Sequence, residues 1–170
     1  MKERFDRKGV WIIPDPKDMK KQKGDKKCLV VSRAFCHNGH SMIWKKAKVN
    51  GYPAIRIEAE TKSGKVGDIV ISPIYGDKTN VTLGLDSQPD EKLILRCPVC
   101  HEELQTLKKC DNCADGDIKS IFLTDDINIH DAIGICDVQN CPNAVFMISG
   151  KLLSDDMEKL GAYTFSRFDN

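Results

Sequence analysis

Apolar and polar residues alternate through the middle of the chain with the period of two that is typical of β-strands. Residues 54–72 show it most clearly, because Ile55 and Ile57 alternate with charged residues there. The segment Lys-Ser-Gly-Lys at 62–65 has turn-forming chemistry, and the alternation resumes at 69–71. Two alternating runs joined by such a turn predict a β-hairpin.

Several other short apolar runs have the length and the residue types of strands. The segment Val-Trp-Ile-Ile at 10–13 could pair as an edge strand. The remaining strand-like runs are at residues 28–35, 80–85, 92–97, 118–124, 132–136 and 144–149.

Only the end of the chain has helical features. Ser154 is a suitable N-cap, acidic residues follow it in the first turn, and Gly161 is a suitable stop. We therefore predict a mainly β protein, a small antiparallel β-sheet domain with a short C-terminal helix.

The hydrophobic content excludes a helical membrane protein. No apolar run approaches the roughly 20 residues that a spanning helix needs, and the four apolar residues at 10–13 are too few for a signal-peptide core. We expect a cytoplasmic protein without membrane contact. Eight cysteines in a reducing compartment favour metal binding over disulfides.

Four of these cysteines form two Cys-x-x-Cys pairs that are nine residues apart. Two such turns can direct four thiolates at one ion in tetrahedral geometry. Because closing a short loop costs less entropy than closing a long one, we expect both pairs to share one ion. The predicted first site is Cys97, Cys100, Cys110 and Cys113.

A second site would combine a half-site from each end of the chain. Gly39 can take a positive φ between two ligands, whereas His37 follows a cysteine directly and should point away from its ion. An interleaved arrangement, for example Cys97 and Cys100 with the last pair of cysteines, stays open. The predicted second site is Cys36, His40, Cys136 and Cys141.

The segment 96–122, with "CPVC" followed by "CDNC", resembles the knuckles of a zinc ribbon. His101 and Ala114 stand where that superfamily usually has glycine. The resemblance implies two zinc-binding turns at hairpin tips and a structural ion. Iron has the same sulfur preference and is the alternative metal.

Charge divides the chain into an N-terminal basic part and an acidic remainder. Residues 1–50 carry 14 Lys and Arg against 5 Asp and Glu, whereas residues 51–170 carry 12 against 20. We predict a basic arm at 1–27, a β-hairpin region at 28–96 and a zinc-ribbon-like region with the C-terminal helix at 97–170. An ion bound across the boundary would make 28–170 one unit.

The composition favours a non-enzymatic, zinc-binding structural or adaptor protein that binds another protein. Catalytic sequence motifs are absent, and a four-ligand ion has no open position for substrate. The alternatives are a nucleic-acid-associated protein using Lys20, Lys21, Lys23, Lys26 and Lys27, and a metalloenzyme or rubredoxin-like redox protein. If the chain has a ligand cleft, we expect it beside Tyr75 and Asp77 and near Trp11 and Trp44.

Overall fold

The computed structural model describes residues 11–13, 29–148 and 151–152, and it divides them between two sheets. The first sheet has the order β1-β2-β3-β4-β5, with β6 also paired to β3; the second has the order β11-β10-β9-β8-β7. The strands are β1 (Trp11–Ile13), β2 (Ile43–Val49), β3 (Tyr52–Glu60), β4 (Val66–Ile71), β5 (Asn80–Leu83), β6 (Ile94–Arg96), β7 (Thr106–Lys109), β8 (Asp117–Phe122), β9 (Ala132–Cys136), β10 (Ala144–Ile148) and β11 (Lys151–Leu152).

The prediction of a mainly β protein is confirmed. Among the described strand pairs, β1 with β2 is parallel and the others are antiparallel. The described residues contain no helix. The helix predicted from Ser154 to Gly161 lies outside them, as does the basic segment 16–27. The division of the chain at residues 27 and 96 stays a prediction.

The predicted hairpin forms from β3 and β4. Their register pairs Ile57 with Ile69 and Glu60 with Val66. The turn is closed by a hydrogen bond from the Gly64 N–H to the carbonyl of Thr61, and Gly64 has a φ of 80°. Glycine tolerates this left-handed conformation without steric cost.

Sequence reasoning missed β2. Its sequence, IWKKAKV, contains three lysines that conceal the alternation. Lys45 and Lys46 are exposed, whereas Ala47 and Val49 are fully buried. The prediction of a strand at 28–35 was wrong. The described residues of this run form no strand, and Val30 and Phe35 make isolated bridges with different partners.

One hydrophobic cluster draws residues from both sheets. Ile55 and Ile57 of β3 share it with Ile121 of β8 and Ile133 of β9. The strand period of two places Ile55 and Ile57 on one face of the first sheet. The register that pairs Ile121 with Ile133 places these two on one face of the second sheet. Cys36 and Cys97 belong to the same cluster, and both are fully buried.

Two sets of backbone hydrogen bonds join the sheets near the cysteines. Phe35 and Phe122 exchange hydrogen bonds, with N···O distances of 2.7 and 2.8 Å. The Leu93 N–H donates to the carbonyl of Asp137 at 2.8 Å. These contacts hold the segment that carries Cys36 against β8, and the residue after Cys136 against the residue before β6. No helix among the described residues has the length and hydropathy to cross a membrane.

Substituting Gly134 with alanine should destabilise the second sheet. A Cβ there would lie 2.4 Å from the Cγ2 atoms of both Ile118 and Val145, whose β-branched side chains have little freedom to move. We expect Gly134→Ala to lower the free energy of unfolding by about 1–3 kcal/mol, measured by urea denaturation. The control is Val66→Ala, at a position that is 54% exposed, with a change of about 0.5 kcal/mol or less. Equal effects of the two substitutions would contradict this packing.

Candidate metal centres

The first candidate centre forms where an early turn meets the end of β6. Strand β6 pairs with β3 and delivers the chain to Cys97 and Cys100. The turn that carries Cys36 and His40 is held by the bridges of Phe35 to Ser41 and Phe122. The ligand atoms of the four metal-ligating residues all lie within 4.8 Å of one another. We call this set site one: Cys36, His40, Cys97 and Cys100.

The second candidate centre forms at one end of the second sheet. The β7–β8 register pairs Lys109 with Asp117, and the intervening turn carries two cysteines. The β8–β9 register pairs Ile118 with Cys136, which brings the end of β9 beside that turn. The four sulfurs again lie within 4.8 Å of one another. We call this set site two: Cys110, Cys113, Cys136 and Cys141.

The structure therefore uses the eight predicted residues but groups them differently. It does not bring Cys97 and Cys100 together with Cys110 and Cys113, nor Cys36 and His40 with Cys136 and Cys141. The predicted grouping, which we call the sequential pairing, was wrong. The short loop between the two Cys-x-x-Cys pairs favours a shared ion, but the strands before them belong to different sheets and keep the pairs apart. The first Cys-x-x-Cys pair follows β6 in the first sheet, and the second pair follows β7 in the second. The interleaved example, which joined the pair at 97–100 to the pair at 136–141, was also wrong.

Tight turns with left-handed residues present the ligands. Gly39 has a φ of 80°, as expected from its place between Cys36 and His40. His101, where zinc ribbons usually have glycine, adopts a φ of 60°, and its Nδ1 lies 2.8 Å from a carboxylate oxygen of Glu58. That hydrogen bond fixes the imidazole of a residue whose backbone adopts the left-handed conformation that glycine would otherwise favour.

The sulfur separations fit a tetrahedral ion. A zinc–sulfur distance of about 2.3 Å implies neighbouring sulfurs about 3.8 Å apart. In site two, the distances are 3.8 Å from Cys110 to Cys141 and 3.9 Å from Cys113 to Cys136. In site one, the sulfur of Cys36 lies 4.0 Å from that of Cys100 and 3.5 Å from Nδ1 of His40. Both groups could hold a metal ion.

Burial and hydrogen bonding push the thiol pKa values of site one in opposite directions. Burial raises the pKa of Cys97 to about 11. Burial also acts to raise the pKa of Cys100, but hydrogen bonds from the backbone of Glu102 and the side-chain amide of Asn38 outweigh it and lower the pKa to about 6. Cys100 therefore ionises more easily than an ordinary thiol, whereas Cys97 needs a nearby positive charge to ionise.

Site two repeats this division. Burial opposes ionisation of Cys110, but the amide of Asn143 and the backbone of Asn112 lower its pKa to about 6. Hydrogen bonding to Cys141, followed by burial, raises the pKa of Cys113 to about 11. Burial raises the pKa of Cys136 as well. A cation among these sulfurs would offset the mutual repulsion of four thiolates.

Two asparagines donate to ligand sulfurs, one in each site. Nδ2 of Asn38 lies 3.6 Å from the sulfur of Cys100, and Nδ2 of Asn143 lies 3.2 Å from that of Cys110. Backbone N–H groups contribute as well, from Val99 to Cys97 at 3.4 Å. Sequence reasoning missed both asparagines, although each lies two residues from a predicted ligand.

Gly116 and a set of charges fix the surroundings of site two. A Cβ on Gly116 would lie 2.9 Å from the sulfur of Cys136, so a side chain there would displace a ligand.

Lys92 donates to Asp117 at 2.7 Å and lies 3.6 Å from Asp137. Hydrogen bonds from Lys109 and then Lys92 lower the pKa of Asp117 to about 2. Through Lys92 these contacts tie the start of β8 to the residue after Cys136.

The remaining predicted residues lie outside the two sites or outside the described residues. His37 is in neither group, as expected, and its Nε2 lies 3.7 Å from Glu102. Cys28, which its place in the apolar run Lys-Cys-Leu-Val-Val predicts to be a core residue, lies outside the described residues. Tyr75 and Asp77 line a cleft that also contacts site two.

Comparison of the chain with known protein families, curated proteins and solved structures finds no match. The resemblance to zinc ribbons therefore depends on the cysteine turns themselves. Two groups of potential ligands are compatible with a zinc-ribbon-like segment.

Removing either asparagine should weaken metal binding at one site only. Contacts outside the ligands typically change metal affinity by about 10–100-fold. We expect Asn143→Ala to lower affinity by this factor at site two, and Asn38→Ala to do so at site one, where its contact is longer. Competition with a chromogenic chelator measures both affinities. Each variant is the control for the other, and unchanged affinities in both would contradict a role for the amides.

Proposed function

We propose that this chain is a zinc-stabilised, non-enzymatic protein-interaction module. The observation that carries the proposal is that eight metal-ligating residues from four separate turns form two complete groups of four. Each group supplies the ligand number of a structural zinc site, with three cysteines and one histidine in site one and four cysteines in site two. The histidine favours zinc in site one, and iron is the alternative in site two.

Bound zinc would supply folding free energy in place of a larger apolar core. In small peptides a structural zinc ion contributes on the order of 10–16 kcal/mol of apparent binding free energy. Site one would hold the turn at 36–40 against the end of β6, and site two would hold the turn at 110–113 against the end of β9. The described cysteines are free of disulfides, which suits a reducing compartment such as the cytoplasm.

Closed coordination supports a structural role. An ion with four protein ligands has no position for water or substrate, which catalytic zinc requires. Protein is the proposed partner because the described surface near site two carries more acidic than basic side chains, unlike a surface that binds phosphates. Nucleic-acid binding through the lysines of residues 16–27 stays a prediction, since those residues lie outside the described ones.

Purified protein should contain close to two zinc ions per chain. Because metal binding and folding are coupled in such sites, a chelator should remove both ions and lower the free energy of unfolding by several kcal/mol. Native mass spectrometry counts the ions, and denaturant titration with and without chelator measures the stability. A metal-free protein that is fully folded and indifferent to chelator would contradict the proposal.

Cobalt substitution tests whether the sites are closed. Cobalt in four-ligand thiolate sites should give the absorption bands of tetrahedral coordination, and added anions should leave them unchanged because no ligand position is free. A spectrum that shifts on addition of cyanide or azide would reveal an open position. That result would replace the proposed structural role with a metalloenzyme.

A further inference from the structure

A cleft of about 210 Å³ lies between the two sheets beside site two. One wall comes from β4, β5 and the loop at 72–80, and the other comes from β9 and the turn at 136–145. Cys136 and Cys141 are part of the second wall. An ion at site two would therefore fix the shape of the cleft as well as the turn.

The apolar core continues into this cleft. Ile57 of the core pairs with Ile69 of β4, and Ile69 pairs with Thr82 of β5. Directly opposed residues of neighbouring antiparallel strands lie on the same face of the sheet. Ile69 and Thr82 both line the cleft, as do Ile133 and Ile135 of β9 across from them. The row of inward side chains thus ends at β5, where the space between the sheets is open.

Strand β5 has an unpaired edge in the described part of the fold. Among the described strands, β4 is its one partner. An edge strand presents unpaired N–H and C=O groups that can pair with an extended peptide. A strand added to β5 would continue the row through Ile69 and Thr82. Alternate side chains of the added peptide would then enter the cleft.

The charges around the cleft favour an occupant that carries positive charge. Its charged side chains are Asp77, Asp137 and Lys78. Four thiolates with one divalent ion at site two add a net charge of −2 to the wall. Lys92 compensates Asp137 in part, at 3.6 Å. Because Lys78 offsets Asp77 and Lys92 offsets Asp137, the net negative charge comes from the ion-loaded site two. A cationic occupant complements this surface, and an anionic one would be repelled.

We propose that the cleft binds an extended peptide segment of a partner protein, which adds to β5 and places an aliphatic side chain and a Lys or Arg side chain in the cleft. The two side chains would be two residues apart, since alternate residues of a strand share a face. The inference rests on the proposed function, because the charge of site two depends on its ion.

The probe is a fluorescein-labelled peptide, Ser-Thr-Ile-Thr-Lys-Thr-Ser, titrated with the zinc-loaded full chain and followed by fluorescence anisotropy. We expect saturable binding. Glutamate in place of the peptide lysine should weaken it at least about tenfold. Thr82→Arg and Asn80→Arg add bulk and positive charge to the cleft, and each should weaken binding at least about tenfold. Asn80 is exposed, so that variant should fold.

The matched control is Val66→Arg, which adds the same charge to the same sheet at a position that does not line the cleft. Its binding should stay within about twofold. The proposal is overturned if the control weakens binding as much as Thr82→Arg, if the glutamate peptide binds equally, or if nothing binds. Two other results would also overturn it, because each assigns the cleft to another occupant. If the free chain forms a dimer that Thr82→Arg dissociates, the occupant is a second copy of the chain. If the peptide binds only after serine replaces the lysines of residues 16–27, the occupant is that segment of the same chain.

Metal content measured on the same samples separates this inference from the proposed function. Two ions per chain without peptide binding would overturn the peptide site and leave the structural role of zinc intact. A sample without ions would overturn the proposed function itself.

Discussion

The crowding of sulfur is the constraint on which the rest of this structure depends. Each site brings its ligand atoms within 4.8 Å of one another. Hydrogen bonds lower the thiol pKa of one cysteine in each site, Cys100 or Cys110, against the effect of burial. Burial raises the pKa of Cys97, and a hydrogen bond to Cys141, followed by burial, raises that of Cys113. Additional thiolates at these distances repel one another unless a cation lies among them. The turns around both sites are therefore arranged for an ion, which explains why so many backbone and amide donors point at sulfur.

Coordination would connect parts of the chain that strand pairing leaves separate. Site one joins segments that are about sixty residues apart, the turn at 36–40 and the turn at 97–100. Its two most buried ligands, Cys36 and Cys97, belong to the main hydrophobic cluster. Site two lies outside the hydrophobic clusters, next to charged residues and the cleft. Metal coordination would thus stabilise the hydrophobic core at site one and fix the shape of the cleft at site two.

Local patterns allowed much of the fold and the ligand residues to be predicted from sequence. Alternation at 54–72 gave the β3–β4 hairpin, and ligand spacing singled out the eight residues that the structure groups. The grouping could not be predicted, because it depends on which sheet each strand joins. Strand β6 pairs with β3, whereas β7 pairs with β8, so neighbouring cysteine pairs separate. Asn38 and Asn143 were missed for a similar reason, since an amide donor has no spacing rule that distinguishes it from a surface residue.

Zinc content of two double variants tests the central claim, the grouping of the eight ligands into site one and site two. In the structure Cys36 and Cys97 share site one, whereas Cys110 belongs to site two. Cys36→Ser combined with Cys97→Ser should therefore leave close to one zinc ion per chain by native mass spectrometry. Cys97→Ser combined with Cys110→Ser should leave close to none. The reverse result, no ion in the first variant and one in the second, would contradict this account and restore the sequential pairing.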